Sequence, residues 1–302
     1  MLDDLARDGN DLTGMVTAIV ELPADHPGFS DPDYRRRREA IAAVAGAFRP
    51  GERIPDVHYS AEEDAVWRTV SAELAAKHRR LACAEYLAGM ARLDLPTDRV
   101  PQLGEVDARL QSLTGFRVRP VPGLVPTRDF YGALAERTFL STQYIRHHSV
   151  PFYTPEPDVV HELVGHLNML ASERFADLYE KAGRASRRAS SPEALEFFSK
   201  VFWFTLEFGV VHEEGALKAY GAGLLSSSGE LDVFTEAEIR AWDLAAMGTQ
   251  AYDITHYQPL LFEAPGMNGL MSRLGDFFDE YGEGFYRESI AYRESSAPGG
   301  RT

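Results

Sequence analysis

The stretch Pro155-Glu156-Pro157-Asp158-Val159-Val160-His161-Glu162-Leu163-Val164-Gly165-His166 is denser in metal-ligand chemistry than any other part of the chain. Two histidines and three carboxylates fall within twelve residues. At first sight it looks like the zinc-protease helix H-E-x-x-H, whose histidines sit at i and i+4 on one face. His161 and His166, however, are five apart, which is roughly 140° around a regular helix at about 100° per residue. Both rings reach one ion only if the helix ends or distorts between them, and Gly165 is a residue that permits this. Glu162 then points off the ligand direction, toward the substrate or the groups behind the ligands. Asp158 is placed to cap the helix.

Two histidines need a third ligand. Glu207 is the only charge among the eleven residues from Val201 to Val211. A carboxylate in so apolar a run must be paired, protonated or metal-bound, because leaving it buried and alone costs several kcal/mol. An ion pair with an Arg or Lys from another element is one solution. Metal binding is the other, and with His161 and His166 it gives a two-His-one-carboxylate facial triad with open positions on the ion. Glu173, Asp177, Glu213 and Glu214 are also available, but in polar surroundings where water solvates them.

The rest of the chain reads as scaffold. With 302 residues, 44% hydrophobic and 25% charged, it has the composition of a globular protein with a sizeable core. A net charge of -15 disfavours nucleic acid or an anionic membrane as partner, leaving a small molecule. Cys83 is the single cysteine, so no intramolecular disulfide forms. No signal peptide or apolar span is visible, and a cytoplasmic protein is expected.

Helices are expected over Pro32 to about Phe48, Ser60 to about Ala91 with a capping box at its head, Leu103 to Leu113, Glu173 to Ala185, Pro192 to Val211, Thr235 to Met247 and Met267 to Tyr281. Short extended segments are expected after Phe116, between Phe139 and Arg146, and from Gln258 to Glu263. The segment Ala219 to Glu230 carries too much Gly and Ser for a regular helix, and Arg35 to Arg38 reads as a solvated, ion-paired face. The expected organisation is an arm (1–24), one mostly α domain with a few short β-strands (25–293) and a flexible tail (294–302).

Pro155 to His166, Trp203-Phe204-Thr205-Leu206-Glu207-Phe208-Gly209 and Lys218 to Glu230 together resemble the catalytic domain of the pterin-dependent aromatic amino acid hydroxylases. Asp25-His26-Pro27-Gly28-Phe29, Thr114 to Pro120 and Thr142-Gln143-Tyr144-Ile145-Arg146-His147 extend the likeness over about residues 20 to 290. The resemblance implies a mostly helical fold that uses Fe(II), tetrahydrobiopterin or a related tetrahydropterin, and O2 as co-substrate. It implies iron on His161, His166 and Glu207, and pterin stacked on Phe130 in a pocket shaped by Gly123, Leu124, Val125, Thr127 and Glu162. By the same resemblance Arg146, held by Asp158, binds the amino acid carboxylate, with Thr154 and Ser226 nearby. Glu162 and Trp203 stand at the reacting centre. Trp203 walls the ring site and favours L-phenylalanine as substrate, giving tyrosine or else meta-tyrosine, whereas Ile254 matches tryptophan hydroxylases, the runner-up.

Leu167-Asn168 replaces the family's usual Val-Pro pair, so a different loop is expected there. The spacing from His166 to Glu207 is one residue longer, with Arg187 to Pro192 the expected place. Regulatory and tetramerisation segments of the family are not recognisable, and a monomer without allosteric activation is expected. The competing readings are a zinc hydrolase using the same ligands with Glu162 as general base, and an inactive helical interaction protein.

Overall fold

Ser60 opens the longest helix, Ala61–Leu81, through the expected capping box: its hydroxyl accepts from the Glu63 N–H, and the Glu63 carboxylate accepts from the Ser60 N–H. The computed structural model describes residues 22–254 and 256–296. Most of the expected arm and the last six residues of the expected tail lie outside them. The tail boundary is wrong for the residues described, since the helix Glu283–Ser296 runs past Arg293.

The helix that the sequence carries to about Ala91 breaks at Ala82 and Cys83 and restarts as Ala84–Leu93. The Cys83 N–H donates to the Ala219 carbonyl at 2.9 Å, a partner from a distant strand that no local pattern reveals. The helices Leu103–Thr114, Glu173–Ser186 and Gly266–Glu280 stand within a residue of expectation. Gly115 ends the first of these at φ 74°, a left-handed cap open to glycine.

Among the described residues six short strands accompany the helices. β1 (Arg117–Pro120) and β2 (Thr138–Ser141) pair in parallel. β3 (Val210–Glu213), β4 (Ala216–Ala219), β5 (Glu238–Ala241) and β6 (Leu260–Ala264) form a sheet of order β4-β3-β6-β5. This sheet corrects two expectations. Val210 and Val211 belong to β3, because the helix from Pro192 ends at Glu207. The stretch Thr235 to Met247 holds the end of a 3-10 turn (Phe234–Glu236), β5 and the start of the short helix Leu244–Thr249, because Glu238 to Ala241 pair with Leu260 to Glu263. The Gly/Ser segment forms two short helices, Ala222–Ser226 and Ser228–Val233.

Burial separates the Arg run as well. Arg36 and Arg37 make the expected surface pairs with Asp33 and Glu63, but Arg38 is 3% exposed and paired with Glu156. The core is aromatic: Phe175 and Tyr179 from one helix and Phe198 and Phe202 from the next are fully buried. It lies directly behind the two helical segments that carry the candidate ligands.

Candidate active site

Both of those segments are π-helical. His161 to Leu167 form one π turn and Trp203 to Glu207 the other. The Asn168 N–H reaches the Leu163 carbonyl and the Phe208 N–H the Trp203 carbonyl, i→i+5 bonds that bring residues five apart onto one face. That is the distortion the histidine spacing demands, and Gly165 is not its terminator. Asn168 continues the helix to Leu170 rather than opening a loop, and its side chain donates to the Val164 carbonyl and the Tyr86 hydroxyl. Gly165 instead admits the 222–226 segment: a Cβ there would stand 2.7 Å from the Ala222 carbonyl oxygen. In the second turn, the Thr205 hydroxyl donates to the Val201 carbonyl at 2.6 Å, a bond that competes with the regular ladder.

The result is a convergence of three donors. The Nε2 atoms of His161 and His166 are 3.0 Å apart, and Glu207 lies 3.1 Å from His166 and 3.9 Å from His161. Two donors about 2.1 Å from one ion and at right angles stand about 3.0 Å apart, so the set fits a metal ion. Each outer nitrogen is fixed. The Ser226 hydroxyl donates to the Ala222 carbonyl at 2.8 Å and so accepts from His161 Nδ1, also at 2.8 Å. Tyr179 reaches Met169 sulfur and accepts from His166 Nδ1 at 2.9 Å. With Nδ1 donating outward in this way, each ring would offer an unprotonated Nε2 to a bound ion.

Burial lowers His161 to about 4, helped by His166. Burial works against charge on His166, but Glu207 raises it; burial opposes ionised Glu207, but His166 lowers it. Glu162 is pushed up to about 7 by burial and contacts the Thr142 N–H and hydroxyl, both at 3.3 Å. Its carboxylate also lies within 4.8 Å of both histidine nitrogens. Glu207 makes the direct 3.1 Å contact with His166, whereas Glu162 is engaged by Thr142.

These groups floor a cavity of about 520 Å³. Gly123, Leu124, Val125, Thr127, Phe130, Arg146, Thr154, Ser226, Trp203 and Ile254 all line it, whereas Glu173, Asp177, Glu213, Glu214 and Asp158 do not. Asp158 sits fully buried behind Arg146, with Oδ2 2.9 Å from Nε and Oδ1 2.8 Å from Nη2. Burial would raise its carboxyl, but the Arg146 charge and hydrogen bonds hold it low. Ile254 stands at the mouth, 69% exposed.

Sequence reasoning missed Tyr179, Tyr252, Glu230 and Gln258. Tyr179 reads as one more apolar position of its helix. Glu230 is a lone carboxylate in a Gly/Ser segment, the same signal that found Glu207, and burial raises it to about 7.

A cavity ending in two imidazoles and a carboxylate carries the donor set of the non-haem oxygenase type. The family profile described as "Biopterin-dependent aromatic amino acid hydroxylase" matches residues 7–294, and the chain belongs to that family. It is 51% identical to the phenylalanine 3-hydroxylase of Streptomyces coeruleorubidus, over 85% of this chain and 92% of that protein. It is 46% identical to rat tyrosine 3-monooxygenase over 85% of this chain, but spans only 53% of that protein. The apo phenylalanine hydroxylase of Colwellia psychrerythraea superposes with a TM-score of 0.74 at 32% identity, covering 83% of this chain and 94% of the other. Membership displaces the hydrolase and interaction-protein readings.

Proposed function

We propose that this chain hydroxylates free L-phenylalanine at the meta carbon, using Fe(II) on His161, His166 and Glu207, tetrahydrobiopterin or a related tetrahydropterin, and O2. The observation that carries the meta assignment is the 51% identity to a phenylalanine 3-hydroxylase across 92% of its length. When bound, iron and reduced pterin supply activation of O2 and the electrons that take its second atom to water.

The chain's own residues bind and orient. Arg146 commits Nε and Nη2 to Asp158, and Nη1 reaches the Pro151 carbonyl only at 3.4 Å. That nitrogen is the one presented to the substrate carboxylate, with Thr154 and Ser226 beside it. Phe130 offers the pterin an aromatic face, backed edge-on by Phe139 at 5.7 Å, and the loop of Gly123, Leu124, Val125 and Thr127 closes that side. Glu162 holds its carboxyl between the pterin side and the metal. Trp203, stacked on Tyr252 at 4.2 Å, forms the apolar wall against which the benzyl ring lies, and Ile254 borders the entrance.

The same proposal takes the protein as a cytoplasmic monomer. Its one cysteine is buried, and among the described residues no helix is long and apolar enough to cross a membrane. Iron-loaded protein given tetrahydropterin, O2 and phenylalanine should yield meta-tyrosine, resolved by chromatography. Para-tyrosine as the main product overturns the ring position, faster turnover of tryptophan overturns the substrate, and a stable tetramer on sedimentation overturns the monomer.

A further inference from the structure

The segment between the helix Leu244–Thr249 and β6 brings Tyr252, Ile254 and Tyr257 to the cavity mouth, where they are 36%, 69% and 55% exposed. Tyr252 stacks on Trp203 and Asp253 pairs with His256, and Gln258 ties the same segment from within. It is 5% exposed, and its amide nitrogen donates to the Asp253 carbonyl at 2.8 Å and the His256 carbonyl at 3.1 Å. Its amide oxygen accepts from Trp203 Nε1 at 3.2 Å, and its backbone N–H donates to Glu230 at 2.7 Å.

Trp203 is thereby fixed from two directions. Its ring lies 4.2 Å from Tyr252 at an interplanar angle of 12° and 4.4 Å from Phe208. Gln258 ties the edge of the indole to the same loop that supplies the stacking tyrosine. One side chain thus couples the inner wall of the cavity to its mouth.

We propose that Gln258 is a positioning residue for substrate selection: it locks Trp203, Tyr252 and the backbone of Asp253 and His256 into one wall whose place sets the size of aromatic ring the cavity accepts. The inference rests on the reading of Trp203 as the substrate wall. Its physical basis is that an indole N–H stripped of its acceptor inside a protein is costly, so the ring moves to recover a partner. Apolar walls discriminate ring size by small margins, and a small movement is enough to change the selection.

Gln258→Met tests this, since it keeps the chain length and the backbone bond to Glu230 but removes the three side-chain bonds. The readout is the ratio of kcat/KM for phenylalanine to that for tryptophan, with thermal unfolding and iron content measured beside it. The expected result is a fall in the ratio of about tenfold with iron retained. In a Trp203→Phe background the same substitution should change the ratio no further, because two residues acting through one contact are not additive. An unchanged ratio in the single variant, or an equal fall in both backgrounds, overturns the inference. Should Gln258→Met fail to fold, Gln258→Glu removes the donors to Asp253 and His256 and keeps an acceptor for Trp203; a wild-type ratio there overturns the inference equally. Wild-type protein that turns over neither amino acid overturns the functional reading and the inference with it, whereas an active wild type with an unresponsive ratio overturns the inference alone.

Discussion

Replacing Asp158 with Asn probes both the stability and the substrate grip of the site. Asp158 is fully buried and accepts four hydrogen bonds: from Nε, Nη2 and the backbone N–H of Arg146 at 2.8 to 2.9 Å, and from the His161 N–H at 3.1 Å. Asn keeps the shape, but it removes the charge and turns one acceptor into a donor facing the guanidinium. Arg146, 4% exposed, is left as an uncompensated buried cation, which costs about 3–5 kcal/mol. For a chain of this length that is a fall in Tm on the order of 10 °C. The pH dependence has a definite sign. The folded carboxyl lies below its ordinary value of 3.8, so the stabilisation is present above that value and is lost as pH falls through the lower, folded one. The assay is thermal unfolding at pH 7, paired with kinetics. KM for the amino acid should rise more than kcat falls, since Arg146 loses its fixed orientation. A Tm within 2 °C of wild type together with an unchanged KM would refute the reasoning.

Three further predictions follow from the same geometry. Glu207→Ala should abolish iron binding, measured by metal analysis, and turnover with it; full iron content would reassign the third ligand to Glu162. Glu230, raised by burial to about 7 from 4.5, holds its proton more tightly folded than unfolded. Stability linked to it is present below pH 4.5 and lost as pH rises through 7, on the order of 3 kcal/mol in all. Glu230→Gln should flatten that slope and raise Tm at pH 8, and an unaltered slope between pH 5 and 8 would count against the assignment. Gly165→Ala drives a methyl against the Ala222 carbonyl oxygen, 2.7 Å away, and should cost about 1–3 kcal/mol while loosening the Ser226 bond to His161; wild-type Tm would show that the segment yields freely.

Much of this site is legible in the chain because metal chemistry leaves marks that local packing does not. A five-residue histidine spacing is incompatible with a regular helix, and Glu207 is a charge where the surrounding sequence admits none. Elements set by local pattern were equally readable: the capping box of Ser60 and Glu63, Gly115 as a stop, the apolar period of Glu173–Ser186. The failures share one cause. Thr235 to Met247 has a helical pattern, yet Glu238 to Ala241 pair with Leu260 to Glu263, and Ala82 and Cys83 interrupt a good helix to bond Ala219. In both, a partner far along the chain outweighs local propensity.

The sequence by itself singled out the histidine pair, the anomalous Glu207 and the need for a distorted helix if both rings are to meet one ion, since angular spacing and charge in an apolar run follow from residue type and position alone. Only the tertiary structure decided that the distortion is a pair of π turns, that Gly165 serves the approach of Ala222, and that Ser226 and Tyr179 hold the outer nitrogens of the two histidines. Gln258 belongs to the same class. Its importance lies in joining Trp203, Glu230 and the 252–257 loop, and hydrogen bonds between distant segments exist only once the chain has packed.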